Sequence, residues 1–162
     1  MRTIVILHNI RSAHNVGSVF RSADGAGVSK IFLTGYTPAP TDRFGREREE
    51  ILKTSLGATH TVPHEVIPDI QTLTTRLAGE GVKIVAVEQT PDAIPYTAYI
   101  PQGDTAFIFG NEVTGVEPEV LTDVPVHIHI PMSGEKESLN VSVCAGIILF
   151  HMRDTQTNVI AC

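Results

Sequence analysis

The sequence predicts an α/β fold, a parallel sheet with helices on both faces, on three observations. Five runs at residues 3–7, 30–34, 82–87, 104–109 and 124–130 are rich in Val, Ile and Phe, are of strand length, and read as buried strands. Segments with apolar residues at helical spacing lie between several of them, and that alternation gives crossover connections and parallel pairing. Val87, Gly110 and Ile130 are ends of three of the runs, and in such sheets ligands sit beyond the carboxyl ends of strands.

Taken in order, residues 3–7 form the first strand and the polar residues 8–14 leave it. A helix follows over 15–26, with Val16, Val19, Phe20 and Ala23 on one face and Asn15 as its candidate N-cap. Gly17 admits another backbone close to that helix, and Gly25 and Gly27 end it before the strand at 30–34. Residues 35–45, with Pro38 and Pro40, are a loop. Beyond Pro40, Arg43, Arg46, Arg48 and Lys53 interleave with Glu47, Glu49 and Glu50, either as a solvated helix face with i,i+4 pairs or as a patch contacting RNA phosphates.

A short strand is expected near 59–62, then a helix over 68–79 with Pro in its first turn and the strand at 82–87. Residues 88–91 are a loop, 104–109 a strand, 117–121 a brief helix and 124–130 the last strand. The chain then opens into a loop and starts a C-terminal helix. Ser138 is its expected N-cap, Ser138, Asn140 and Ser142 fall in its first turn, and Val141, Cys144, Ile148 and Phe150 form its buried face.

A chain of 162 residues, 42% hydrophobic, fits one domain over 1–162 with a sizeable core. The apolar runs near its two ends are too short for a signal-peptide core or a bilayer span, so a soluble cytoplasmic protein without membrane contact is expected. Cys144 and Cys162 lack metal or redox spacing and read as thiols in a reducing compartment. His127 and His129 share a strand face without a third ligand, and His60 and His64 read as loop residues, so no metal is expected. A net charge of −6 counts against a nucleic-acid partner, yet residues 1–57 hold eight of the twelve Lys and Arg against five acids. One basic face remains compatible with an acidic whole.

Three ordered motifs sharpen the functional reading. They are Asn15-Val16-Gly17-Ser18-Val19-Phe20-Arg21, Phe109-Gly110-Asn111-Glu112-Val113-Thr114-Gly115, and Ile130-Pro131-Met132 with Ser138-Leu139-Asn140-Val141-Ser142 after a short loop. Together they resemble the SpoU/TrmH family of RNA ribose 2′-O-methyltransferases over residues 4–150, and Thr54-Ser55-Leu56-Gly57-Ala58 is similar to family sequence as well. The resemblance implies a SPOUT-type fold with a C-terminal deep trefoil knot, S-adenosylmethionine as cofactor, a tRNA or rRNA substrate, and a homodimer in which Arg21 lies near the other protomer's pocket. It further implies a minimal single-domain member without an N-terminal RNA-binding extension.

By motif position, Val87, Glu88, Gly110, Asn111, Ile130, Met132 and Leu139 would hold the cofactor, and Arg21, with Asn15, Glu112, Ser138 and Asn140, would act on the acceptor. Because a guanidinium keeps its proton up to a pKa above about 12, Arg21 is expected to bind a phosphate beside the target ribose rather than act as a base. A Rossmann dinucleotide site is excluded by the lack of G-x-G-x-x-G at residues 8–17, and a serine hydrolase by the lack of G-x-S-x-G. A catalytically silent RNA-binding or scaffold protein on the same fold is the remaining alternative.

Overall fold

The protein is described by a computed structural model covering residues 1–159. Its strands are β1 (Thr3–His8), β2 (Lys30–Thr34), β3 (His64–Val66), β4 (Lys83–Val87), β5 (Ile94–Pro95), β6 (Thr105–Phe109) and β7 (Val126–His129). The helices are α1 (Ala13–Ala26), α2 (Glu49–Ser55), α3 (Ala58–Thr61), α4 (Ile70–Gly79), α5 (Pro118–Asp123) and α6 (Val141–Val159). All strand pairs are parallel, in the order β3-β2-β1-β6-β4-β7-β5.

Because side chains alternate across a strand, the sheet carries two cores. Val5, Leu7, Ile31, Leu33, Val85, Phe107 and Ile128 face the helix layer made largely by α1 and α6. Ile4, Ile6, Phe32, Ala86, Ala106 and Ile108 face the other way and pack with Leu73 and Leu77 of α4 and Val120 of α5. The α/β parallel sheet covered on both faces is therefore present as expected. The strands ending at Val87, Phe109 and His129 are neighbours in it, so their three following loops meet along one edge.

Several local expectations are corrected. Ser12 rather than Asn15 caps α1, its hydroxyl accepting from the Asn15 N–H at 3.2 Å, and Gly27 at φ +72° closes the helix. Residues 59–62 are not a strand: Gly57 turns the chain at φ +93° into the single helical turn α3, and only beyond Pro63 does it pair with β2, His64 opposite Ile31. Strand β5 had no sequence signal, being a two-residue edge segment ending in Pro.

The start of α6 is corrected as well. Asn140 takes the capping role given to Ser138, its Oδ1 accepting from the Ser142 N–H at 2.8 Å and the Ser142 hydroxyl at 2.7 Å. The buried face of α6 is Val141, Ala145, Ile148, Leu149 and Met152, while Cys144 is half-buried and Phe150 is exposed. His60 lies in α3 and His64 in β3, not in loops. Cys162 lies outside the described residues.

Candidate functional site

A cleft of about 240 Å³ opens beyond the ends of β4, β6 and β7. Its floor is apolar, with Val87, Phe109, Ile130, Leu139, Val141 and Cys144, and Glu88, Glu112, Thr114 and Ser138 add polar groups. All seven residues expected to hold a cofactor, Val87, Glu88, Gly110, Asn111, Ile130, Met132 and Leu139, line it.

Each loop is set by specific bonds. After β6 the chain makes a tight turn in which Asn111 and Gly115 exchange backbone hydrogen bonds of 3.0 and 2.9 Å. The Asn111 Oδ1 accepts from the Val113 and Thr114 N–H groups at 2.8 and 2.9 Å, and its Nδ2 donates to the Asn9 carbonyl and the Tyr36 hydroxyl. The Asn111 amide is thus committed to structure, and at 7% exposure it is closed to a ligand. Gly115 sits at φ +70°, and a Cβ there would collide with the Glu88 carboxylate. That carboxylate accepts from the Gln89 and Val116 N–H groups, each at 2.9 Å, and so fastens the loop after β4 to the loop after β6. The Gln89 amide donates to the Glu137 carbonyl at 2.6 Å, which ties in the third loop.

The turn after β6 presents Glu112 to the start of α1. Its Oε2 accepts from the Arg11 N–H at 2.9 Å, and its Oε1 from the Ser12 N–H at 3.1 Å and the Asn15 amide at 3.0 Å. Burial works to raise this carboxyl, and the donors, first the Arg11 N–H and then the Asn15 amide, outweigh it and hold it below the usual carboxylate range. The Asn15 Oδ1 in turn accepts from the Asn140 amide at 3.2 Å. Glu112, Asn15 and Asn140, far apart in sequence, therefore form one chain at the rim of the cleft.

Behind this chain, His8 at the end of β1 bonds Thr34 at 2.8 Å and lies 2.9 Å from Glu117. Burial pushes its imidazole below the ordinary range against the pull of Glu117. In the cleft, burial and then the nearby Glu88 push the Cys144 thiol up to about 11, so it presents a neutral, unreactive group. His127 bonds the Thr90 hydroxyl at 2.9 Å and the Leu121 carbonyl at 3.2 Å, whereas His129 lines the cleft.

The remaining residues expected from sequence lie elsewhere. Arg21 is exposed on α1, six residues and about 9 Å of helix rise beyond Asn15, and does not line the cleft of its own chain. Lys53 pairs with Glu49 at 3.7 Å at i,i+4 on α2 and fits the solvated-face reading, whereas Arg46 pairs with Asp42 at 2.9 Å within a loop turn and not on a helix. Arg43 and Arg46 instead gather over the ring of Phe44, at 4.7 and 5.2 Å, and Arg48 precedes α2. Sequence reasoning passed over Ser12, Tyr36 and Gln89. Of these only Ser12, a good capping residue ahead of a helical period, carried a local signal. Among the described residues no helix is long and apolar enough to cross a membrane.

Comparison with known proteins bears on this arrangement. A family model described as the SpoU rRNA Methylase family matches residues 2–150. The chain is 31% identical over 153 residues to the 23S rRNA (guanosine(2553)-2′-O)-methyltransferase RlmP of Bacillus subtilis, covering 94% of this chain and 58% of that protein. It is 29% identical over 150 residues to the 23S rRNA (guanosine-2′-O-)-methyltransferase RlmB of Neisseria meningitidis serogroup B, covering 93% of this chain and 57% of that protein. The chain thus spans somewhat over half the length of these relatives. The crystal structure of an AdoMet-bound rRNA methyltransferase from Sinorhizobium meliloti superposes with a TM-score of 0.85 at 27% identity, covering 94% of this chain and 56% of that one.

Proposed function

Because the chain belongs to the SpoU rRNA methylase family, we propose that it transfers a methyl group from S-adenosylmethionine to a ribose 2′-hydroxyl of tRNA or rRNA. The observation that carries this reading is the cleft itself, where loops from three adjacent strands meet beside the Glu112, Asn15 and Asn140 chain.

The residues present fit the cofactor. An apolar floor with backbone groups of three loops at its margins suits an adenosine, and the Glu88 and Glu112 carboxylates give the cleft a negative field that suits a sulfonium cation. Val87, Gly110, Ile130, Met132 and Leu139 would hold it, with Asn111 shaping the turn around it rather than bonding it. When bound, S-adenosylmethionine supplies an activated methyl for in-line displacement by a hydroxyl oxygen.

The protein's own residues supply positioning, which accounts for much of the rate when reacting atoms are held in line. Glu112 fixes Asn15, Asn15 fixes Asn140, and Asn140 caps α6, so the rim that meets the ribose is rigid. Ser138 offers a hydroxyl at the same rim. Arg21 binds a phosphate beside the target ribose and stabilises charge developing on the ribose oxygen, the proton passing to phosphate or water. It does so in the partner's cleft of a homodimer. Two observations support this: Arg21 lies outside its own cleft, and α6, packed on α1, leaves Val143, Ile147 and Phe150 exposed in an apolar stripe. The same reading includes a trefoil knot in the C-terminal segment and a cytoplasmic location, where its RNA is found.

Incubation with labelled methyl donor and total RNA, then nuclease digestion, should yield one labelled 2′-O-methylated nucleotide. Donor binding by calorimetry without any label in RNA would make the protein a silent RNA-binding or scaffold member of the fold.

A further inference from the structure

The loop between β2 and α2 carries a feature that methyl transfer leaves unexplained. Phe44 stands at its tip, 67% exposed, with the guanidinium groups of Arg43 and Arg46 at 4.7 and 5.2 Å from its ring centre. Left in water, the ring forgoes about 1.5–3 kcal/mol that burial would give, and it stands between two guanidinium groups.

The tip is also held in shape. Asp42 accepts from the Phe44 N–H at 2.8 Å, the Arg46 N–H at 3.0 Å and the Arg46 guanidinium at 2.9 Å. The Arg46 N–H, ahead of the other donors, holds the Asp42 carboxyl below the usual range. Thr41 and Glu47 pair across the base of the turn, and the Arg48 N–H donates to the Pro40 carbonyl at 2.9 Å. At one end of the loop, Tyr36 bonds Asn111 of the cleft at 2.8 Å. At the other, Thr54 of α2 donates to the His14 carbonyl at 2.9 Å, beside Asn15. The tip is thus tied on one side to Asn111 of the cleft and on the other, through α2, to the start of α1.

We propose that Phe44, with Arg43 and Arg46, is a stacking platform for an unpaired nucleobase of the RNA substrate, a binding element separate from the methyl-transfer cleft. An aromatic ring takes the face of any base, and the flanking guanidinium planes stack on the base or reach its phosphates. The arrangement selects single-stranded RNA, because a paired base offers its face only at a helix end. Arg43 adds a positive charge at the tip of a protein whose net charge is −6, that of Arg46 being offset by Asp42. The proposal rests on RNA being the substrate, and it names the kind of RNA segment that reaches the site.

The chain contains no tryptophan, so Phe44→Trp places a single, selectively excitable indole at the tip. Its emission should be quenched by a short mixed-sequence single-stranded oligoribonucleotide and unaffected by the corresponding duplex. By anisotropy, Phe44→Ala and Phe44→Leu should bind the single strand about tenfold more weakly than wild type, while Phe44→Tyr and Phe44→Trp keep the affinity. Cofactor affinity should be the same in all of them. Wild-type affinity in Phe44→Leu, unquenched Phe44→Trp in a bound complex, or no binding of the single strand by wild type would each overturn the platform. So would a fall in oligomeric mass in Phe44→Ala, which would make the tip a protein contact. These isotherms need no cofactor, so failure of methyl incorporation would count against the methyltransferase reading and leave this test to be read independently.

Discussion

Glu112 shows how much one side chain holds together. Both of its oxygens accept, from two backbone N–H groups and one amide, at the point where the β6 loop meets the start of α1. Gln at this position keeps the shape but must turn its own donor toward one of those donors, which leaves a partly buried pair unsatisfied. Glu112→Gln should therefore cost about 1–3 kcal/mol at neutral pH. The sign of the pH dependence follows from the depressed folded-state pKa. A carboxyl lowered on folding contributes stability that is present above its unfolded value, about 4.3, and lost as pH falls through the folded value. Denaturant melts of the two proteins should differ most near neutrality and converge in acid. A gap that stays constant down to the acid transition would mean that the carboxylate's charge plays no part.

The pairing of α1 with α2 depends on Gly17. A Cβ there would run into the Thr54 hydroxyl and the backbone carbonyl of Ile51, and a backbone atom cannot swing aside. Helix propensity favours Ala by about 1 kcal/mol, but overpacking against a fixed carbonyl costs about 1–3 kcal/mol, so Gly17→Ala should lower stability. Gly79, at the end of α4 with open space around its Cβ position, is the control, and Gly79→Ala should be neutral or stabilising in the same urea melts. Gly17 also shows what could be read from sequence. Its need for close approach was visible in the helical spacing of Val16, Val19 and Phe20, but its partner across about 35 residues was not. The same limit explains the other differences. Strands β1, β2, β4, β6 and β7 carried long apolar runs and were legible, whereas β3 and β5 depend on neighbours to pair and carry little periodicity. The three loops that line the cleft were legible because they follow legible strands. The Glu112, Asn15 and Asn140 chain became visible only when residues about 100 and 125 positions apart met.

For the molecule as a whole, the open question is what Arg21 serves, since its own cleft does not contain it. If it acts on RNA in a partner's cleft, two inactive variants should rescue each other. Arg21→Ala keeps a cleft and lacks the arginine, while a Gly110 variant with a side chain driven into the Gly115 backbone keeps the arginine and lacks the cleft. After mixing and exchange of subunits, half the dimers are mixed, and each of these has one site with an intact cleft and an intact Arg21. About one quarter of wild-type sites should return. Arg21→Lys should behave like Arg21→Ala in this assay, because an ammonium cannot reproduce a planar two-pronged contact with phosphate. Each single variant should lose about a hundredfold in methyl transfer, while Arg21→Ala keeps its cofactor affinity and melting temperature. Light scattering sets the premise, since a mass near 17.5 kDa would mean a monomer with no partner cleft to complete. A dimer in which mixing restores nothing would return Arg21 to its own chain, or reduce it to an ion pair across the interface whose loss lowers stability and activity together.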